Sequence, residues 1–163
     1  NLKTYELVNG YAKGTGHNTP LHDYLPGQES TSKCVNWLIN KKVPAKKLII
    51  GAAMYARVWE NVPNNNNGLY QDGKFKQGLS YSLFTKFFSD TAGFKYYWDS
   101  DAKAPYYYSA TKKLFATFDD KRSIQEKTGY IRNKKLGGIM FWELPDDLKK
   151  DGLVDEMSRG LKN

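Results

Sequence analysis

Two stretches of the chain are apolar almost without interruption. One is KKLIIGAAMYA, which predicts a strand over about residues 47–56. The other is LGGIMFWELPDD, Leu136 to Asp147, which predicts a strand over 137–144. Continuous apolar runs of this length, as opposed to alternating ones, suit strands buried on both faces, as parallel sheets require. The opening NLKTYELVNGY alternates instead and predicts a strand over about 1–8. Helical periodicity lies between these runs. Val35, Leu38 and Ile39 mark one apolar face, Ser30 or Thr31 can cap it, and it ends near Lys42 before Pro44. SIQEKTGYIRNKKL predicts a second helix, with Ser123 as its cap, Glu126 at the capping-box position, and Ile124, Tyr130 and Ile131 as apolar positions. A last helix covers about 153–162.

The first part therefore reads strand, loop, helix, strand, a βαβ unit with a right-handed crossover. Its loop, AKGTGHNTPLHDYLPGQES, is rich in Gly, Pro, Asn and His, and loops of that length in compact domains tend to carry function. After Arg57 the texture changes. NVPNNNNGLYQDG is a turn-rich loop, 81–90 is helical, and FKYYWDS, APYYYS and LFATFDD are short aromatic strands. Residues 58–118 thus predict a small α+β insertion of antiparallel strands.

The order is βα, β-insertion-α, βα, or three successive units of a parallel α/β sheet or barrel. Such folds bind ligands at the carboxyl ends of their strands. The residues leaving each strand are Tyr5 and Glu6, then Met54, Tyr55 and Arg57, then Trp142 and Glu143. Three parallel strands would also leave two apolar edges, at 1–8 and 137–144, which predicts self-association.

Composition narrows the classes. The chain has 163 residues, 40% of them hydrophobic, with 14 Gly and 6 Pro, as in a globular protein. No apolar run approaches the ~20 residues of a membrane span. The chain does not begin with Met and carries no leader-like segment, which predicts a piece of a longer protein. Its single Cys34 excludes an internal disulfide and a Cys-based metal site. His17 and His22 are loop residues with no carboxylate pair beside them, so neither a metal nor a cofactor is expected. The net charge of +8 raises nucleic acid as a partner, but the lysines form no run and no basic helix, and read better as scattered surface charge. The 12 Tyr, 8 Phe and 4 Trp exceed what a core of this size needs and suit stacking on flat ligands, sugar rings included.

Several of these stretches, in order, resemble glycoside hydrolase family 18, the chitinase-like enzymes. NLKTYEL resembles the sixth barrel strand, where Met-x-Tyr-Asp is usual, and GTGHNTPL resembles the loop after it. VPAKKLIIGAAMYARVW resembles strand seven with its Tyr-Gly-Arg exit. APYYYS and FATFDDKRSIQEK resemble the end of the chitin insertion domain and the following helix, and LGGIMFWELPDD resembles strand eight. The resemblance implies a partial (β/α)8 TIM barrel, strands six to eight, in 1–57 and 119–163, with 58–118 as the insertion domain. It implies hydrolysis of β-1,4 N-acetylglucosamine linkages by substrate assistance, in which the sugar's acetamido oxygen attacks the anomeric carbon. The acid in that mechanism ends an Asp-x-x-Asp-x-Asp-x-Glu motif on strand four. That motif does not occur in this sequence, so the 163-residue chain alone is expected to be inactive.

By position, the resemblance implies that Tyr5 holds the acetamido group for attack and that Glu6 contacts it or a neighbouring hydroxyl. Met54, Tyr55 and Arg57 would line the cleft, and Trp142 would form its floor. Trp59, Tyr97 and Trp98 of the insertion would wall it. Lys3 for the usual Met, Glu6 for Asp and Ala56 for Gly depart from the family pattern. The partners implied are chitin or another N-acetylglucosamine glycan and the remaining barrel half, in a secreted, cell-surface or periplasmic setting. A non-catalytic lectin on the same scaffold is the alternative. A paired-carboxylate hydrolase using Glu6 and Glu143 is disfavoured, because strands six and eight of a barrel are not neighbours.

Overall fold

The computed structural model describes residues 1–162. Helix α1 (Thr31–Asn40) leads into strand β1 (Ile49–Ala53) and then β2 (Tyr55–Glu60). Strand β3 (Lys74–Ser80), the short helix α2 (Phe84–Phe87), and strands β4 (Lys95–Asp99), β5 (Ala104–Ser109) and β6 (Leu114–Thr117) follow. The chain closes with helix α3 (Lys121–Lys134), strand β7 (Gly138–Trp142) and helix α4 (Leu153–Lys162).

The strands form two sheets. In one, β1 and β7 run parallel, in register from Ile49 opposite Gly138 to Ala53 opposite Trp142. The other is antiparallel throughout, in the order β3-β2-β6-β5-β4. Helices α1 and α3 cover the parallel pair through Val35, Ile50, Tyr130 and Ile131, while Ala52 and Met54 meet Ile124 of α3 and Leu153 and Met157 of α4. The central strands β2, β6 and β5 of the antiparallel sheet are buried on both faces, while the edge strands β3 and β4 are partly exposed. Alternation along β2 and β6 sends Ala56, Val58 and Ala116 toward Phe84, Phe88 and Phe94, and sends Trp59 and Phe115 toward Tyr106 and Tyr108.

Four expectations need correction. First, 1–8 is not a strand, so the parallel sheet has two strands among the described residues, not three. The segment still runs beside β1. Leu2 N–H donates to the Ile49 carbonyl at 2.7 Å, but at the next rung the Thr4 hydroxyl takes over, accepting from Gly51 N–H at 2.8 Å and donating to its carbonyl at 3.2 Å. A side chain thus occupies the place of a ladder, and Glu6 at φ 62° then turns the chain away.

Second, the apolar run 47–56 is two strands, and the antiparallel sheet begins at Tyr55, not at 58. Met54 is the pivot: its N–H donates to the Trp142 carbonyl and its carbonyl accepts from Tyr81 N–H, both at 2.8 Å. Third, 81–90 is a 3₁₀ turn followed by the single turn of α2. Fourth, α3 begins at Lys121 with Asp120 as its cap. Ser123 is the reciprocal partner, its N–H donating to Asp120 Oδ1 at 2.8 Å and its Oγ accepting from Asp120 N–H at 3.0 Å. An acidic cap fits better here because a carboxylate complements the helix dipole as well as the free N–H groups.

Candidate active site

The carboxyl ends of β1 and β7, the start of β2 and residues 3–6 meet around a cleft of about 610 Å³. Lys3, Tyr5, Glu6, Tyr55, Arg57 and Trp142 line it, with Gly78, Leu79 and Ser80 from the end of β3, and Glu143 and Asp146 from the turn after β7. The Ser80 hydroxyl donates to the Asp146 carboxylate, joining that turn to β3.

Close approach to glycine sets two of the side chains. The Tyr5 ring lies on Gly51, where a Cβ would come within 2.7 Å of its Cδ1 and Cε1. The ring then meets Tyr55 edge to face, with centroids 6.4 Å apart and planes at 88°. Arg57 lies over the Tyr55 ring at 4.5 Å from its centre, and a Cβ on its cross-strand partner Gly78 would stand 2.9 Å from Nη1. The guanidinium therefore sits between an aromatic face and a bare backbone, which suits its planar, weakly hydrated shape.

Each oxygen of the Glu6 carboxylate has its own cation. Arg57 Nη2 pairs with Oε1, and Lys3 Nζ lies 2.9 Å from Oε2. Burial lowers the Arg57 pKa. Burial raises that of Tyr55, and the Tyr5 hydroxyl and the carboxylates of Asp119 and Asp146 push it further the same way. The Tyr55 hydroxyl is thus protonated at any physiological pH and available as a donor. Trp142, at the end of β7, remains 56% exposed. An open indole face, tyrosines, and a carboxylate already neutralised by two cations suit a ligand that is polar around its edge and apolar on one face, as a pyranose is.

Of the residues singled out from the sequence, Tyr5, Glu6, Tyr55, Arg57, Trp142 and Glu143 come together here. Met54 does not. It is fully buried among Ala52, Ile124, Leu153 and Met157, because it points away from the face that carries Tyr55 and Arg57. Trp98 lies on β4, at the edge of the antiparallel sheet remote from β2, under the Arg122 guanidinium at 3.9 Å. Trp59 is fully buried and Tyr97 stacks on Tyr106, so the wall of the cleft comes from Gly78 to Ser80 instead. Nothing in the pattern QGLSYS pointed to those three. Asp146 lay within the recognised stretch LGGIMFWELPDD, whose spacing after Trp142 was the available signal.

The sequence profile of glycosyl hydrolases family 18 matches residues 1–147. Chitinase A1 of Niallia circulans is 33% identical over 169 aligned positions, which cover 92% of this chain and 24% of that protein. Among solved structures, the family 18 N-acetylglucosaminidase of Paenibacillus barengoltzii superposes with a TM-score of 0.88 at 36% identity, covering 98% of this chain and 48% of that one. The cell-surface-expressed multi-modular chitinase of Paenibacillus sp. str. FPU-7 superposes with a TM-score of 0.91 at 32% identity, covering 99% of this chain and 19% of that one. The chain therefore spans less than half the length of each.

Proposed function

Because the chain belongs to glycosyl hydrolases family 18, we propose that its cleft is part of the substrate site of a chitinase-like enzyme cleaving β-1,4 N-acetylglucosamine linkages. The observation that carries this is the convergence of Tyr5, Glu6, Tyr55, Arg57 and Trp142 on one cleft, from three separate stretches of sequence. In this reading the residues around β1 and β7 form part of a (β/α)8 barrel, with residues 1–8 beside it, and the antiparallel sheet is its insertion domain.

The mechanism is substrate-assisted. Trp142 supports the apolar face of the sugar that is cleaved. The Tyr5 hydroxyl hydrogen-bonds the acetamido group and fixes it for attack on the anomeric carbon. Glu6 contacts the acetamido group or an adjacent hydroxyl, and Tyr55 and Arg57 bind hydroxyls. The acid that protonates the leaving oxygen lies outside these 163 residues. General acid catalysis is typically worth ~10²–10⁴-fold, so the chain alone binds without appreciable turnover. The names of its relatives, a chitinase and an N-acetylglucosaminidase, support this substrate class, and the cell-surface enzyme supports an extracytoplasmic setting.

The test is titration of chitotetraose into the purified chain, followed by tryptophan fluorescence, alongside hydrolysis of a fluorogenic chitobioside. Binding should be saturable, and Trp142→Ala should weaken it on the order of ten-fold, about 1.4 kcal/mol. An affinity unchanged by Trp142→Ala, or clear turnover by the chain, would sink the assignment.

A further inference from the structure

We infer that Asn18 is a positioning residue that holds the Glu6 carboxylate between Arg57 and Lys3. The inference rests on reading the cleft as a sugar site, and its starting point is the backbone of Glu6. At φ 62° this residue is left-handed, a conformation suited to Gly, Asn and Asp and unfavourable for a glutamate. Its position in the cleft therefore needs support from elsewhere in the fold.

Asn18 supplies that support on both sides. The Glu6 N–H donates to Asn18 Oδ1 at 2.9 Å, and the Leu7 N–H donates to the Asn18 carbonyl at 3.1 Å. The Asn18 N–H in turn donates to Thr117 Oγ1 at 2.9 Å. Thr117 is the residue opposite Arg57 in the pairing of β2 with β6. The path from Glu6 through Asn18 and Thr117 thus returns to the rung that carries Arg57, and the Arg57–Glu6 ion pair closes it. Asn18 and Thr117 are both fully buried, so solvent cannot replace these bonds. Next to Asn18, the buried His17 fixes the loop from its other side through Nε2 and Asp99 Oδ2, 2.8 Å apart.

The arrangement gives the GTGHNTPL loop a task at the cleft that its sequence did not disclose. No residue of the loop is among those lining the cleft. It sets the register of a carboxylate against its cations, and misplacement of about 1 Å at such a point is enough to cost binding and rate.

A merely structural Asn18 would affect stability without affecting Glu6, so the test reads Glu6 directly. Amide hydrogen exchange is measured by NMR at Glu6 and, as a reference, at Ile50, together with chitotetraose affinity. Asn18→Ala should accelerate exchange at Glu6 at least ten-fold relative to Ile50 and weaken chitotetraose binding about ten-fold. Asn18→Asp retains the acceptor oxygen and replaces an NH₂ with no partner among the described residues, so at a pH low enough to keep that buried carboxyl protonated it should restore slow exchange at Glu6. If Asn18→Ala fails to fold, Thr117→Val, which removes the outer link alone, should raise Glu6 exchange relative to Ile50. Unchanged relative exchange at Glu6 in whichever of the two variants folds would overturn the proposal. Absence of chitotetraose binding by the unsubstituted chain would instead refute the sugar-site reading, while the exchange data would still decide the clamp.

Discussion

At the scale of single residues, the cleft depends as much on missing side chains as on present ones. Gly51 and Gly78 give Tyr5 and Arg57 their seats. Adding one methyl at Gly51 forces a fixed aromatic ring to move, whereas at Gly78 it meets the end of a flexible side chain. Gly51→Ala should therefore destabilise the chain by about 1–3 kcal/mol in urea denaturation, the usual cost of overpacking, and should weaken chitotetraose binding as Tyr5 shifts. Arg57→Lys should be poorly tolerated for a different reason. A point charge cannot both spread over the Tyr55 ring and reach the Glu6 carboxylate from the same seat. Binding measured by calorimetry should fall on the order of ten-fold, about 1.4 kcal/mol, with little change in the melting temperature.

At the scale of elements, α3 is anchored through a fully buried ion pair. Lys127 Nζ lies 2.6 Å from Asp119 Oδ2, and the same carboxylate accepts from Ser123 Oγ at 2.7 Å and from Ala53 N–H at 3.0 Å. Burial pushes the Lys127 ammonium down and Asp119 works against that. Removing one partner leaves the other charge buried and alone, so Lys127→Met should cost about 3–5 kcal/mol in chemical denaturation. The His17–Asp99 pair behaves differently. Burial alone would raise the Asp99 carboxyl, but the His17 hydrogen bond and the N–H groups of Ala102 and Asp101 outweigh it and hold the pKa at about 2. Its folded pKa is thus below the unfolded value of 3.8, so the stability it confers is present above that value and is lost as pH falls toward 2. The unfolding free energies of the parent and Asp99→Asn, separated by roughly 1–2 kcal/mol at pH 5, should converge as pH falls through about 2. Much of this scale was legible beforehand. Val35, Leu38 and Ile39 fixed the face of α1, and the apolar runs located β1 and β7. The break at Met54 was not legible, because a residue buried between two sheets is as apolar as one inside a single strand. Nor was the loss of the strand at 1–8, since the Thr4 hydroxyl mimics a backbone partner in a way that alternation cannot register. That Tyr5, Glu6, Tyr55, Arg57 and Trp142 share a cleft was legible because the apolar runs stop at Tyr55 and Trp142, although the segment that brings Tyr5 and Glu6 there is not a strand. Gly78 to Ser80 were missed because they arrive from a different sheet, through pairing that no local pattern encodes.

At the scale of the whole molecule, β7 pairs with β1 and has no second strand beside it among the described residues. Its residues Ile139, Met140 and Phe141 are partly exposed and Trp142 is open. An apolar edge of this kind invites pairing with another chain. The purified 163-residue chain should associate, with size-exclusion chromatography and light scattering giving a mass above that of one chain at high concentration; a monomer throughout would show that the edge is adequately protected. The two sheets themselves are joined at a narrow doorway. The chain leaves at Tyr55 and comes back at Thr117, and those ends are adjacent because Arg57 is opposite Thr117. Everything beyond that threshold behaves as a cassette whose exposed outer positions, such as Lys95 of β4, can diverge in sequence without disturbing the hinges, while Asp99 at the end of β4 ties it back to His17. The near part has no such licence, since β2 holds Arg57, β3 supplies its seat and β6 carries Thr117. Sequence drift among relatives should therefore be graded across this one sheet, free at the exposed positions of its outer rim and frozen at its threshold and at Asp99.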